Sequence, residues 1–259
     1  IVNLIRTYRR ELCEAVRDRW NYFWFRPGDP ATLGLIRIAT GSMLFYTHLI
    51  WTKDAAAFFG ADAWLSQEWA STYYNYSPFA WTYFWGVSTP SLLSMANVFA
   101  LVVLGLYTIG LWTRATSILA FIITVSYVHR VPGALFGLDQ INGLLALYLM
   151  LGPSGAAYSL YQLIRRRHNQ LDRSVLPSIR ANMAIRLIQV HMCVIYLFAG
   201  MGKLAGESWW DGTALWGALA NYEYQSIDVT WLAEWPLTIN VMTHFTLLWE
   251  LSYCILVWH

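Results

Sequence analysis

Six long apolar runs organise the chain, at about 33–51, 92–112, 115–131, 141–158, 183–202 and 238–259. Each approaches the ~20 residues that an α-helix needs to cross the ~30 Å hydrocarbon layer of a bilayer. None shows the strict apolar–polar alternation of a half-buried strand, so the pattern predicts helices throughout. The expected fold is all-α: a polytopic integral membrane helical bundle with at least six spans. Residues 1–27 read differently, as "IVNLIRTYRRELCEAVRDRW" mixes arginines with apolar positions at helical spacing. That pattern predicts a cytoplasmic interfacial helix leading into the first span, and no cleavable signal peptide is visible. The last run reaches His259 without a cap or polar tail, so the C-terminal end is expected to be incomplete or followed by more spans. No internal repeat divides residues 1–259, which read as a single transmembrane domain.

Composition agrees with the pattern. Hydrophobic residues make up 57% and charged residues 12% of the chain, whereas a soluble domain is roughly a quarter charged. A solvated surface cannot be built from so few charges, which excludes a soluble globular protein. Fifteen Trp and sixteen Tyr suit interfacial belts, where an apolar ring with a polar edge meets the head groups. A net charge of +2 gives no sign of a nucleic-acid partner. Cys13, Cys193 and Cys254 have neither metal-ligand nor redox spacing and read as small core residues. Zinc spacing, a phosphate loop and a nucleophile elbow are all missing from the sequence, so no metal is expected.

The basic residues fix an expected orientation. Twelve of the 17 Lys and Arg fall in alternate connections: Arg6, Arg9, Arg10, Arg17, Arg19 and Arg26 before the first span, Arg114 after the second, and Arg165, Arg166, Arg167, Arg173 and Arg180 after the fourth. The opposite side holds Lys53, Arg130 and Lys203, while Arg37 and Arg186 lie inside spans. This bias predicts a cytoplasmic N-terminus and an extracytoplasmic Lys203; the expected location is a bacterial inner membrane. The outer connections, 52–91 and 204–237, are rich in Trp, Tyr and Phe. They are expected to fold back on the membrane surface as short helices, either roofing a cavity or packing plainly at the interface.

Polar groups inside spans are expensive and therefore candidates for function. At about 100° of turn per residue, Gln189, Tyr196, Gly200 and Lys203 share one stripe of the fifth span with Arg186, while His191 falls off it. Lys203 then ends a polar line along one helix face. Two readings of it stay open: a snorkelling anchor at the end of a membrane helix, or a desolvated amine able to act as a general base. Ala199 and Gly200 would let a neighbouring helix or a flat ligand approach the backbone. Arg37 and His48, three turns apart on the first span, would hold a polar head group, or Arg37 would pair with Glu250 on the sixth. Asp139, in "FGLDQINGLL", would cap the fourth span as its N-cap or line the outer cavity with Gln140 and Asn142.

Several stretches resemble one family. "RPGDPATLGLIRIATGSMLF", "GLWTRAT", "NGLLALYLML" and above all "VIYLFAGMGKLAGESWWDGTALW" resemble the vitamin K-dependent gamma-carboxylases and their bacterial relatives, the HTTM (horizontally transferred transmembrane domain) proteins. Tyr196, Ala199, Gly200, Lys203 and Leu204 match the frame around that family's catalytic lysine, and Asp211–Gly212 stands where the family has an acid–glycine pair. The resemblance implies an enzyme in which Lys203 deprotonates vitamin K hydroquinone or a similar quinol, with O2 and CO2 as co-substrates and glutamate carboxylation coupled to epoxidation. The expected cofactor contacts are Tyr196, Ala199 and Gly200 from that frame, with Gln189, Asp139, Arg37 and His48 from the polar groups along the spans. The animal carboxylase has two adjacent lysines, whereas here Gly202 precedes Lys203; the place of its histidine before the fourth span falls at Leu138 or Asp139, and no large propeptide-binding domain is present. The alternative is a non-enzymatic membrane subunit or assembly partner of a larger complex. The expected partners are the lipid bilayer, with a peptide or protein substrate on the outer side or other membrane subunits. A transporter would call for broken helices or repeated halves, which the sequence lacks.

Overall fold

A computed structural model describes residues 2–74, 79–167, 175–223 and 227–258. Arg173, His259 and the 75–78 part of the aromatic tract lie outside the described residues. The first half of the chain contains α1 (Val2–Phe25), α2 (Ala31–Trp51), α3 (Ala55–Phe59), α4 (Gln67–Tyr73), α5 (Pro90–Ile109) and α6 (Thr113–Arg130). Then come α7 (Gly137–Leu151), α8 (Leu160–Arg167), α9 (Ile179–Lys203), α10 (Glu207–Trp210), α11 (Ala214–Leu219) and α12 (Pro236–Leu256). The described residues contain no strand, only an isolated bridge between Gly28 and Ser178. The all-α class is as the sequence predicts.

Six long helices, α2, α5, α6, α7, α9 and α12, occupy the places of the six apolar runs. Among the described residues, three segments are long and apolar enough to cross a membrane: Ala31–Phe59, Pro90–Ile109 and Ile179–Lys203. The fourth run needs correction. Its helix begins earlier than 141 and stops at Leu151, because Gly152 and Pro153 interrupt it and the apolar residues beyond form a loop. With 15 residues, α7 reaches only about 22 Å. Asp139 is also not the N-cap. Phe136 holds that position, and Asp139, three residues on, accepts the Phe136 N–H at 2.9 Å. A carboxylate in the first turn still satisfies an orphan donor and complements the helix dipole.

The chain forms two compact units, Ile1–Arg186 and Leu187–His259. In the first, α2 packs on α5 and α7, α5 on α6, and α6 on α7, closing a four-helix ring. Ala100, Leu104, Tyr107, Ala120, Ile123 and Leu149 fill its interior. Helix α5 ends on Gly110, whose φ of +78° belongs to the left-handed region. Its N–H meets the Leu106 and Tyr107 carbonyls, a C-terminal cap that a residue with a Cβ adopts only under strain. A Cβ there would also lie 2.5 Å from Ser159 and 3.0 Å from the Arg37 guanidinium carbon. Asn182 ties the start of α9 to the end of α1 by donating to the Phe23 and Trp24 carbonyls.

The aromatic connection after α2 does form short helices, α3, α4 and a 3-10 turn at Tyr83–Gly86. Phe59 and Phe84 are buried, stack on each other at 5.3 Å and both meet Tyr127 edge-on. Thr82 donates to the Ser126 carbonyl at 2.8 Å, anchoring this plug on α6. In the second unit, α10, α11 and a 3-10 turn (Thr230–Glu234) pack on α12. Thr243 of α12, fully buried, takes the Leu215 N–H.

Candidate functional site

The predicted site residues divide between the units: Arg37, His48 and Asp139 belong to the first, and Gln189, Tyr196, Ala199, Gly200 and Lys203 to the second. On α9 the polar stripe becomes a seam against α12. Cys254 Sγ donates to the Cys193 carbonyl, the Tyr196 and Tyr253 rings lie 4.5 Å apart, and Gly200 faces Leu251. Lys203 closes the line on Glu250. Contacts that advance along α9 while retreating along α12 are those of two antiparallel helices. Gln189 and Ala199 are half-buried on the same helix.

Lys203 Nζ lies 2.9 Å and 2.8 Å from the two carboxylate oxygens of Glu250. The two side chains retain 24% and 13% of their exposure, so the pair is shielded without being sealed. The ammonium also sits over the Trp209 ring, 5.2 Å from its centroid, where the ring face adds a cation–π attraction. A charge-assisted bond to both oxygens is among the stronger contacts a lysine makes. Gly200 is what admits the partner. A Cβ there would fall 2.9 Å from a Leu251 methyl and 3.4 Å from Glu250 Cβ, so the small residue serves a helix, not a flat ligand. A Cβ on Gly202, by contrast, would meet nothing within 4 Å, which leaves open space one residue from the lysine.

This pairing corrects one expectation. Glu250 holds Lys203, and Arg37 needs no carboxylate. Fully buried, Arg37 donates Nη1 to the Ser154 carbonyl at 2.6 Å and Nη2 to that of Tyr158 at 2.6 Å, with a longer contact of 3.4 Å to Ala157. The loop released by the early end of α7 supplies all three oxygens. Arg130, at the end of α6, is held likewise by the Leu65 and Gly60 carbonyls at 2.9 Å and 2.8 Å. Arg37 and His48 do share a buried face of α2, but only His48 meets Asp139, as joint lining of a small cavity. Arg186 lies over the Phe23 ring at 4.6 Å.

Asp211–Gly212, beyond Lys203, forms a turn. The Asp211 carboxylate takes the Thr213 N–H at 2.9 Å and its hydroxyl at 2.6 Å. These bonds, led by the hydroxyl, hold the carboxyl below its usual range. The Asp211 carbonyl receives the Asn240 amide, while Trp210 donates its indole N–H to Leu204 and its carbonyl faces His244 Nε2. The segment after Lys203 is therefore fixed to α12 by side chains the sequence reading did not single out. Asn240 and His244, four apart on an apolar helix, were the available signal. Among the described residues no group of three His, Cys, Asp or Glu side chains is placed to hold a metal.

Helices long and apolar enough to cross a bilayer, with many large apolar side chains on their exposed faces, mark a helical membrane protein. The profile of the HTTM domain matches residues 25–259, and the chain belongs to the HTTM domain family. No curated protein and no solved structure matches it.

Proposed function

We propose that the protein is an integral membrane enzyme of the carboxylase type, in which the Lys203–Glu250 couple handles a proton for a membrane-soluble quinol. The observation that carries this reading is the 2.8 Å contact between a lysine and a carboxylate at the half-shielded end of a membrane helix. Transfer of one Nζ proton to Glu250 leaves a neutral amine beside a carboxylic acid, with the net charge of the pair unchanged. Such an amine accepts a proton from any acidic hydroxyl brought against it, and Glu250 holds the surplus. The donor set fits a phenolic ring: a partly open acid–base couple, the flat faces of Trp209 and of the Tyr196–Tyr253 pair, and free space at Gly202. When bound, a quinol supplies the reducing equivalents for oxygen-dependent carboxylation. Six crossings, a cytoplasmic N-terminus and a peptide substrate on the outer side belong to the same proposal.

The test uses the protein in nanodiscs with vitamin K hydroquinone as the probe. Lys203→Ala and Glu250→Gln each abolish quinol-dependent oxygen uptake and epoxide formation while the protein stays inserted and helical. Uptake that survives Lys203→Ala removes the reading. A second reading, a non-enzymatic membrane subunit, rests on the completeness of the pair, since a fully compensated ion pair beside a tightly packed glycine also ties two helices together. In that case the double variant Lys203→Met/Glu250→Met is folded and keeps its partners, whereas changes to the exposed Trp231 or Trp235 release them.

A further inference from the structure

His48 lies in the last turn of α2 with 3% of its surface exposed. Its Nδ1 is 2.7 Å from the Leu44 carbonyl oxygen. A carbonyl can only accept, so Nδ1 carries the hydrogen and, in the neutral ring, Nε2 keeps a lone pair. That second nitrogen is buried and meets no hydrogen-bond partner. Buried polar atoms are seldom left so, and an orphan of this kind points to something that completes it. The ring lines a cavity of about 10 Å³ together with Thr47, Thr124, Asp139 and Asn142. The volume matches a single water molecule, and the walls offer it several polar neighbours. Thr47 and Thr124 spend their hydroxyl hydrogens on the Met43 and Ala120 carbonyls, so toward the cavity they act as acceptors. Asp139 uses one oxygen on the Phe136 N–H. It sits half-buried in the first turn of α7, next to exposed Phe136, Gly137 and Leu138.

We propose that this chamber binds one water, which donates to His48 Nε2 and joins it to Asp139, making His48 the inner end of a proton path entered at the N-terminus of α7. Protonated Asp139 gives its proton to the water, the water passes one of its own to Nε2, and the products are a carboxylate, an unchanged water and an imidazolium. Atoms and charge balance without any other reactant. Among the described neighbours of the ring, none competes for the proton. Tyr127, 4.4 Å away on α6, has its hydroxyl bonded to Asn97, and Arg130 on the same helix is held by the Gly60 and Leu65 carbonyls. The remaining ring neighbour, Trp51 on α2, carries no titratable group. The site lies wholly within the first unit and stands or falls apart from the Lys203–Glu250 proposal.

Nitrogen NMR of the histidine-labelled protein in nanodiscs tests it, with His48 assigned by the signals that vanish in His48→Gln. The expected wild-type spectrum shows hydrogen on Nδ1, a hydrogen-bonded but unprotonated Nε2, and magnetisation transfer from water to the ring. Asp139→Asn keeps the contact to Phe136 N–H yet cannot relay a proton. It should leave that tautomer in place and lose the fast exchange that acidification brings to Nε2 in the wild type. Hydrogen on Nε2, a ring with no transfer from water, or exchange undiminished in Asp139→Asn would each overturn the proposal.

Discussion

Arg37 within α2 of the first unit and Lys203 at the end of α9 in the second both carry charge on long apolar helices, and the chain neutralises them by different means. Arg37 is surrounded by carbonyl oxygens of one loop, and Arg130 repeats the arrangement with another. A carbonyl accepts a hydrogen bond but never a proton, and a guanidinium does not give one up. That arrangement has a single state and reads as architecture. Lys203 instead meets a carboxylate through both oxygens. Under the proposed function that pair passes a proton between its members, which a carbonyl cage cannot do. The lesson concerns partners more than charges: a buried cation becomes chemically useful when what faces it also titrates.

The comparison breaks most visibly at Arg37. Arg37→Met removes the donors to Ser154 and Tyr158 and leaves the buried Ser154 carbonyl unmet. The expected loss is about 3 kcal/mol or more, and no second substitution restores it because the partners are backbone. Arg37→Lys recovers little, since a single ammonium cannot fork between carbonyls of separate residues. Thermal unfolding in detergent reads both, and an unshifted midpoint for Arg37→Met would mean that the cage contributes nothing. Lys203→Met is next, at about 2 kcal/mol, because it strands a shielded Glu250 whose remaining exposure relieves part of the penalty. Here a second substitution does help. Lys203→Met/Glu250→Met should regain most of the stability while any proton chemistry stays lost, and a double-mutant cycle separates the two effects.

Much of this contrast was visible in the sequence, but not its assignment. The stripe through Tyr196, Gly200 and Lys203 follows from helical periodicity, and it does form the seam of α9 against α12. What faces the seam does not follow, because periodicity places a residue on a face without naming the neighbour. Two in-span cations and one in-span acid, Glu250, made Arg37–Glu250 a reasonable pair, and the real partners of Arg37 are backbone atoms that no side-chain pattern announces. They exist because α7 stops at Gly152–Pro153, where "GPSGAAY" was read as helix on the strength of its apolar residues. The same misreading moved the start of α7 and gave Asp139 the N-cap instead of the third helical position. His48 and Asp139 were both singled out as polar groups at membrane depth. Their shared cavity depends on how α2, α6 and α7 close the ring, and only packing decides that.

A smaller perturbation sharpens the second half of the comparison. Gly200→Ala adds a Cβ 2.9 Å from a Leu251 methyl, a contact too short to keep. Leu251 is flexible and can yield, so the expected cost is about 1 kcal/mol. The more telling readout is the pair one turn away. If Gly200 positions Glu250 for Lys203, the coupling in the double-mutant cycle falls in the Gly200→Ala background. Coupling that is unchanged would show that α12 finds its register without this glycine.

The weakest expected effect lies just past Lys203, and its sign can be worked out. Asp211 is solvent-exposed, and its carboxyl is held below the usual range first by the Thr213 hydroxyl and then by the Thr213 N–H. A group whose folded value is depressed stabilises the fold above its unfolded value, near pH 3.9 for an aspartate, and loses that contribution as pH falls through the lower folded value. The turn that joins α10 to α12 should therefore loosen only in strong acid, with no change across neutral pH. Asp211→Ala should remove the acid-dependent step and, at neutral pH, raise amide exchange at Thr213. Asp211→Asn, which keeps an acceptor without the charge, should abolish the acid step while preserving most of the protection. Should the acid step persist in Asp211→Ala, the titrating group lies elsewhere in the second unit, and Asp228, held down in the same way by Thr230, is the next to test.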